Sequence, residues 1–176
     1  MQAQTLFVDA VNGKDDGRGT DREPVATLQR AVEIGSPFTG DLPVTIKLLP
    51  GLYCQSTKLT LRTAKTSGAS PDYTLEATIM PYEADWQPWK MPVIQSLSAT
   101  PRPRSLHTRL GLSSPNNNVH FKGLKFVGNP NPNVEYYYPI TRANEGLNGL
   151  QVSQCYSIGE RNSAPVQSAT WAMAAE

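Results

Sequence analysis

The 176-residue chain has two cysteines, two histidines and no aspartate beyond Asp85, and each shortage excludes a class of chemistry. Cys54 and Cys155 are too few and too far apart for a disulfide framework, and with no CxxC there is no cysteine-rich zinc site. His107 and His120 alone cannot build an HExxH pattern. No apolar run is long enough to span a bilayer, so a membrane partner is not expected. Sixteen Lys and Arg stand against 15 Asp and Glu, and a net charge of +1 argues against an overall nucleic-acid binder. Met1-Gln2-Ala3-Gln4 lacks the charged-then-apolar order of an intact signal peptide. A remnant beside a cleavage site and a plain cytoplasmic start both fit it.

What is present is punctuation. Thirteen Gly and 15 Pro recur along the chain, leaving little room for long helices, while 39% hydrophobic residues are too many for disorder. The length suits one domain. Leu6-Phe7-Val8 reads as a short strand, followed by a loop of Asp, Asn and Gly to Asp21. One helix is expected, opening at Ala26 or Thr27, with Leu28, Ala31, Val32 and Ile34 on one face and Gly35 and Pro37 ending it. From Val44 the period switches to two: Val44, Ile46 and Leu48 alternate with Thr45 and Lys47, and Pro50-Gly51 turns the chain. Leu59 and Leu61, Tyr73 to Met80, Val93 to Leu97 and Leu106 to Leu112 supply further short apolar runs.

The last third contains a repeat. Val119, Phe121, Leu124, Val127 and Gly128 recur thirty-one residues later as Leu150, Val152, Cys155, Ile158 and Gly159. A repeat that cannot bury its own apolar row must stack on a neighbour, which is the logic of a solenoid. Phe121 and Val152 are then expected in one interior column, and Cys155 as a small stacking residue instead of a nucleophile.

Here the residues carry a resemblance. The strand, Asn12-Gly13, Gly19-Thr20, Pro24 and Ala26-Thr27-Leu28-Gln29-Arg30-Ala31-Val32 resemble the amino-terminal cap of right-handed parallel β-helix proteins of the pectin-lyase-like superfamily. Val44 to Tyr53 is similar to a first rung, and Asn117 to Phe126 and Leu150 to Gly159 to later ones. The resemblance implies an all-β, right-handed parallel β-helix with an amino-terminal capping helix. The cap would be residues 1–43, the rungs 44–160 and a tail 161–176, all in one domain. It is short, and a shortened solenoid fits as well as a whole one. The resemblance also implies secretion or a periplasmic location, and binding or processing of a polysaccharide, lyase-like if catalytic. The competing class is a non-catalytic binding or assembly module without a complete active site.

The residues weigh on that choice. Glu135, Glu145, Glu160 and Glu176 are the only acids after Asp85, so the carboxylate clusters of hydrolases and of calcium-dependent lyases are disfavoured. Residues 86–176 carry eight basic residues against four acids, an uneven field that favours an anionic glycan. Lys125, Arg142 and Arg161 are the candidate base or charge-neutralising groups. Tyr136, Tyr137 and Tyr138, with Arg142, sit in a long stretch from Asn129 to Leu147 and are candidate sugar-binding residues. Three consecutive side chains cannot share one face of an extended segment, so at least one ring should be accessible. Trp86 and Trp89 raise the same question.

No metal and no cofactor are implied. The Asp9–Asp21 loop lacks EF-hand spacing and reads as turns. Lys122 to Val127 only echoes an RNA-recognition strand, because Leu124 and Lys125 replace its aromatic and small residues. His120 should point outward, between Val119 and Phe121. After Gly159 the repeat fades, and Trp171 and Met173 offer apolar cover for an open end. Either the tail folds over that end or a second chain does, and self-association is favoured.

Overall fold

The computed structural model describes residues 4–39, 42–57, 59–62, 72–97, 112–114, 118–130, 140–142 and 149–158. These residues are mostly β, in parallel sheets, with one α-helix. The chain opens with β1 (Gln4–Val8), reaches α1 (Leu28–Gly35), and continues through β2 (Val44–Leu48), β3 (Leu52–Gln55) and β4 (Leu59–Thr60). Next come β5 (Tyr73–Ala77), β6 (Val93–Ser96) and β7 (Leu112–Ser114), then β8 (Val119–Lys122), β9 (Lys125–Val127) and β10 (Ile140–Arg142). The last described strands are β11 (Leu150–Ser153) and β12 (Tyr156–Ile158).

Three sheets result. The first has the order β1-β2-β5-β8-β11, the second β3-β6-β9-β12 and the third β4-β7-β10. From β2 onward the chain visits first, second and third sheet in fixed rotation, and every pairing is parallel. Period-two alternation explains the burial. In β2, Val44, Ile46 and Leu48 are buried while Thr45 and Lys47 are not. Register then aligns Ile46, Leu75, Phe121 and Val152 in one inward column. The thirty-one-residue repeat is therefore a pairing register, with Val119 opposite Leu150 and Phe121 opposite Val152. Phe121 is fully buried and meets Phe126 edge to face, whereas Val152 is partly buried against the same core. Val127 and Ile158 also pair in register, but both occupy outward positions of β9 and β12.

The helix forms where the sequence places its signals. Thr27 is the N-cap: its hydroxyl accepts from the Arg30 N–H at 3.1 Å and donates to Asp15 Oδ2 at 2.9 Å. Asp15 Oδ1 accepts from the N–H groups of Ala26 and Thr27. Leu28, Ala31 and Val32 are buried, and α1 packs on β1 and β4. Asp9 caps a neighbouring turn. Burial pushes its carboxyl up, but hydrogen bonds from the Val11 and Asn12 N–H groups and the Asn12 side chain together hold it below the ordinary carboxylate value. Each aspartate thus spends one oxygen on backbone N–H groups and the other on a side chain.

One expectation needs correction. The stretch Asn129–Leu147 is not all connection, because it contains β10, which pairs parallel with β7. A three-residue strand following Pro139 is too short to show alternation in a sequence.

Two buried phenols tie the sheets together. Tyr53 Oη shares its proton between the carbonyls of Val8 (2.8 Å) and Leu49 (2.7 Å), and burial pushes its pKa up. Tyr73 Oη donates to the Arg62 carbonyl at 2.9 Å, and burial pushes its pKa up to about 12, against a smaller lowering by Ser36. A folded pKa raised above the unfolded one gives stability that is complete below about pH 10 and lost as pH rises toward about 12. Tyr73 alone is expected to remove about 3 kcal/mol over that window. Urea midpoints measured between about pH 9 and about pH 12 check this. A flat stability profile above pH 10 would contradict the burial of these rings.

Candidate functional site

Alternation divides each strand of the second sheet into two faces. In β3, Tyr53 and Gln55 are buried while Leu52 and Cys54 are exposed. In β6, Ile94 and Ser96 are buried, and in β9 Phe126 is. The outward residues line up by register into two columns. One runs Leu52–Val93–Lys125–Tyr156 and the other Cys54–Gln95–Val127–Ile158. Neighbouring strands lie about 4.8 Å apart, so the Lys125 ammonium stem is flanked by Val93 and the Tyr156 ring. Leu52 (52%), Tyr156 (59%) and Ile158 (46%) are more exposed than large apolar residues of a sheet usually are. This is a ribbon of aliphatic and aromatic surface carrying one cation.

A long connection borders the ribbon. Links from the first to the second sheet are short after β2, β8 and β11, but residues 78–92 intervene between β5 and β6. Local hydrogen bonds hold that segment: Glu83 N–H to the Met80 carbonyl, Trp86 N–H to Glu83, Lys90 N–H to Gln87, and Lys90 Nζ to the Asp85 carbonyl. Pro88 opens a single 3-10 turn, Pro88–Lys90, that delivers the chain into β6. Trp89 (76%) and Tyr82 (74%) are among the most exposed large apolar side chains described, and Trp86 is half-buried. The exposed Trp89 indole lies four residues before Val93 in sequence.

The outer face of the first sheet is of a different kind. Its columns are Thr5–Thr45–Thr74–His120–Gln151 and Phe7–Lys47–Glu76–Lys122–Ser153. Glu76 pairs with Lys47 at 3.7 Å and with Lys122 at 3.8 Å, so these charges answer one another. His120 sits outward as expected. Burial, and secondarily the Lys122 charge, lower its pKa, against a smaller raising by its hydrogen bond with Gln151. Lys125 differs: among the described residues no carboxylate pairs with it.

The candidate residues separate accordingly. Lys125 is on the outer face of the second sheet, while Arg142 ends β10 in the third sheet, so the two are not brought onto one sheet. Tyr136, Tyr137, Tyr138, Arg161, His107 and residues 161–176 lie outside the described residues. Tyr156, Leu52 and Val93 were not singled out by sequence reasoning. The available signal was parity, since Tyr156 and Ile158 share a face that Cys155 does not. Cys155 packs against the core, its thiol lies near the carbonyls of Phe121 and Ser153, and burial pushes its pKa up. It is a poor nucleophile there. No three His, Cys, Asp or Glu side chains gather into a metal-binding group among the described residues. In comparisons with family models, curated proteins and solved structures, none matches this chain.

Proposed function

We propose that the chain is a short right-handed parallel β-helix that binds an anionic polysaccharide along the outer face of its second sheet. The fixed rotation of the strands through three parallel sheets supports the β-helix reading, as does the end position of α1 against β1 and β4. The observation that carries the function is the outward column Leu52–Val93–Lys125–Tyr156. A sugar ring offers an apolar face to a flat ring and a hydroxylated edge to water, and a uronate adds a carboxylate for the Lys125 ammonium. A row rising one strand at a time suits a linear chain lying across the strands. Such a ligand places the protein in a secreted or periplasmic setting.

Binding is favoured over lyase chemistry by the positions of the basic groups. A lyase needs a base and a charge-neutralising cation converging on one sugar. Lys125 and Arg142 are on separate sheets, and no carboxylate stands beside Lys125 among the described residues. The non-catalytic module is therefore the better reading of this site.

Affinity electrophoresis in gels containing homogalacturonan, alginate or a neutral glucan tests it. The expected result is retardation by the uronans, weaker at high salt, with no ultraviolet signal of an unsaturated product. Trp89→Ala and Tyr156→Ala should each weaken binding roughly 2- to 10-fold, the range of a lost aromatic contact. Lys125→Gln should abolish the preference for uronan over neutral glucan. Equal mobility in all gels would sink the proposal, and an unsaturated product would replace it with the lyase.

A further inference from the structure

We propose that two copies of the chain associate tail to tail, with β11 pairing antiparallel to its own copy across a two-fold axis. The two ends of the first sheet are unequal. At β1 the outer edge is already occupied: Phe7 N–H donates to the Gly19 carbonyl (2.8 Å), Asp9 N–H to Val25 (2.9 Å), and Val25 N–H to Phe7 (3.1 Å). Helix α1 then buries Leu28, Ala31 and Val32 at that end. Among the described residues, β11 pairs only with β8 and β12 only with β9. Their other edges carry no strand of the described residues.

Side-chain burial shows the same asymmetry. Val119, Phe121 and Leu124 are buried, with 0%, 1% and 0% exposure. Their register equivalents Leu150, Val152 and Cys155 are only partly buried against the core. The inward surface of this last pair of strands is thus apolar and incompletely covered.

Its chemistry selects a second copy as the cover. A two-fold contact sets each group near its own symmetry mate, so a charged edge repels itself. Strands β2, β5 and β8 of the first sheet carry Lys47, Glu76 and Lys122 in their outward column, but the corresponding position in β11 is Ser153. From Leu150 to Ile158 there is no Asp, Glu, Lys, Arg or His. An edge with backbone donors and acceptors, partly bare apolar groups and no charge is self-compatible. Because the β1 edge is occupied, β11 has no head-to-tail acceptor in its own sheet, and the two-fold contact is expected to close at two.

Light scattering coupled to gel filtration of the full chain is the test. The expected mass is twice 19.2 kDa for the wild type and 19.2 kDa for Gln151→Lys/Ser153→Lys, which gathers four lysines, two from each copy, at the axis. A neutral double variant, Gln151→Asn/Ser153→Asn, should remain dimeric, and all three should share one far-ultraviolet circular dichroism spectrum. If the lysine variant does not fold, hydrogen exchange decides: protection of β11 amides in the wild type should fall on dilution. A monomeric wild type overturns the proposal, and is the result expected if residues 159–176 cover this end. A dimer untouched by the lysines, masses growing beyond two, or concentration-independent protection also overturn it.

Discussion

Phe121→Ala is expected to destabilise the chain by about 3–5 kcal/mol, the largest single effect of any side-chain truncation considered. Phe121 is 1% exposed, lies between Leu75 and Val152 in register, and stands edge-on to Phe126 with ring centroids 6.0 Å apart at 84°. Removing the ring deletes buried apolar surface, leaves a cavity among parallel strands that cannot collapse without losing register, and ends the aromatic pair. In a chain of this length, a fall of roughly 10 °C in Tm should accompany the loss. Val152→Ala, at the next position in the column, should cost about 1 kcal/mol because its side chain is only partly buried. Urea unfolding of both variants checks the ratio. Equal, small losses would mean that the two residues do not share an inward column.

Gly13→Ala should cost roughly 2–4 kcal/mol through a different mechanism, overlap with backbone. A Cβ built at Gly13 runs into the carbonyl oxygens of both Asp9 and Val25. Neither can yield cheaply. The Asp9 carbonyl accepts from Gly13 N–H and the Val25 carbonyl from Asp9 N–H, both at 2.9 Å. Relief of the overlap therefore breaks bonds that close the 9–25 loop onto the edge of β1. The expected readout is a lowered urea midpoint with an unchanged slope, together with faster amide exchange at Asp9 and Val25. Stability within about 0.5 kcal/mol of the parent would contradict the close approach.

These two sites also show what was legible in the sequence. The Asp9–Asp21 loop and the thirty-one-residue repeat are local or periodic, the first reading as turns and the second as strands a fixed offset apart. Strand β2 and helix α1 were equally plain, since Val-Thr-Ile-Lys-Leu alternates and Thr27 begins an apolar face of helical period. Sheet membership was not legible. Alternation tells which side chains share a face of one strand, but not where the chain turns a corner between strands. Lys125 and Arg142 therefore looked like partners in sequence and fall on different sheets. Val127 and Ile158 were taken with the buried row, although a turn at Gly123-Leu124 resets the parity and places them outside. Tyr156 was hidden for the same reason. Its neighbours across the ribbon, Leu52 and Val93, are far away in sequence and meet it only through register.

The central functional claim is that the outward column Leu52–Val93–Lys125–Tyr156 is the ligand surface. Backbone amide shifts followed by nuclear magnetic resonance during titration with oligogalacturonate test it most directly. The account predicts shift changes concentrated at Leu52, Val93, Lys125 and Tyr156 and at Trp89, with the first-sheet column Lys47–Glu76–Lys122 unmoved. Changes centred on that ion-paired column, or no changes at saturating oligosaccharide, would contradict it.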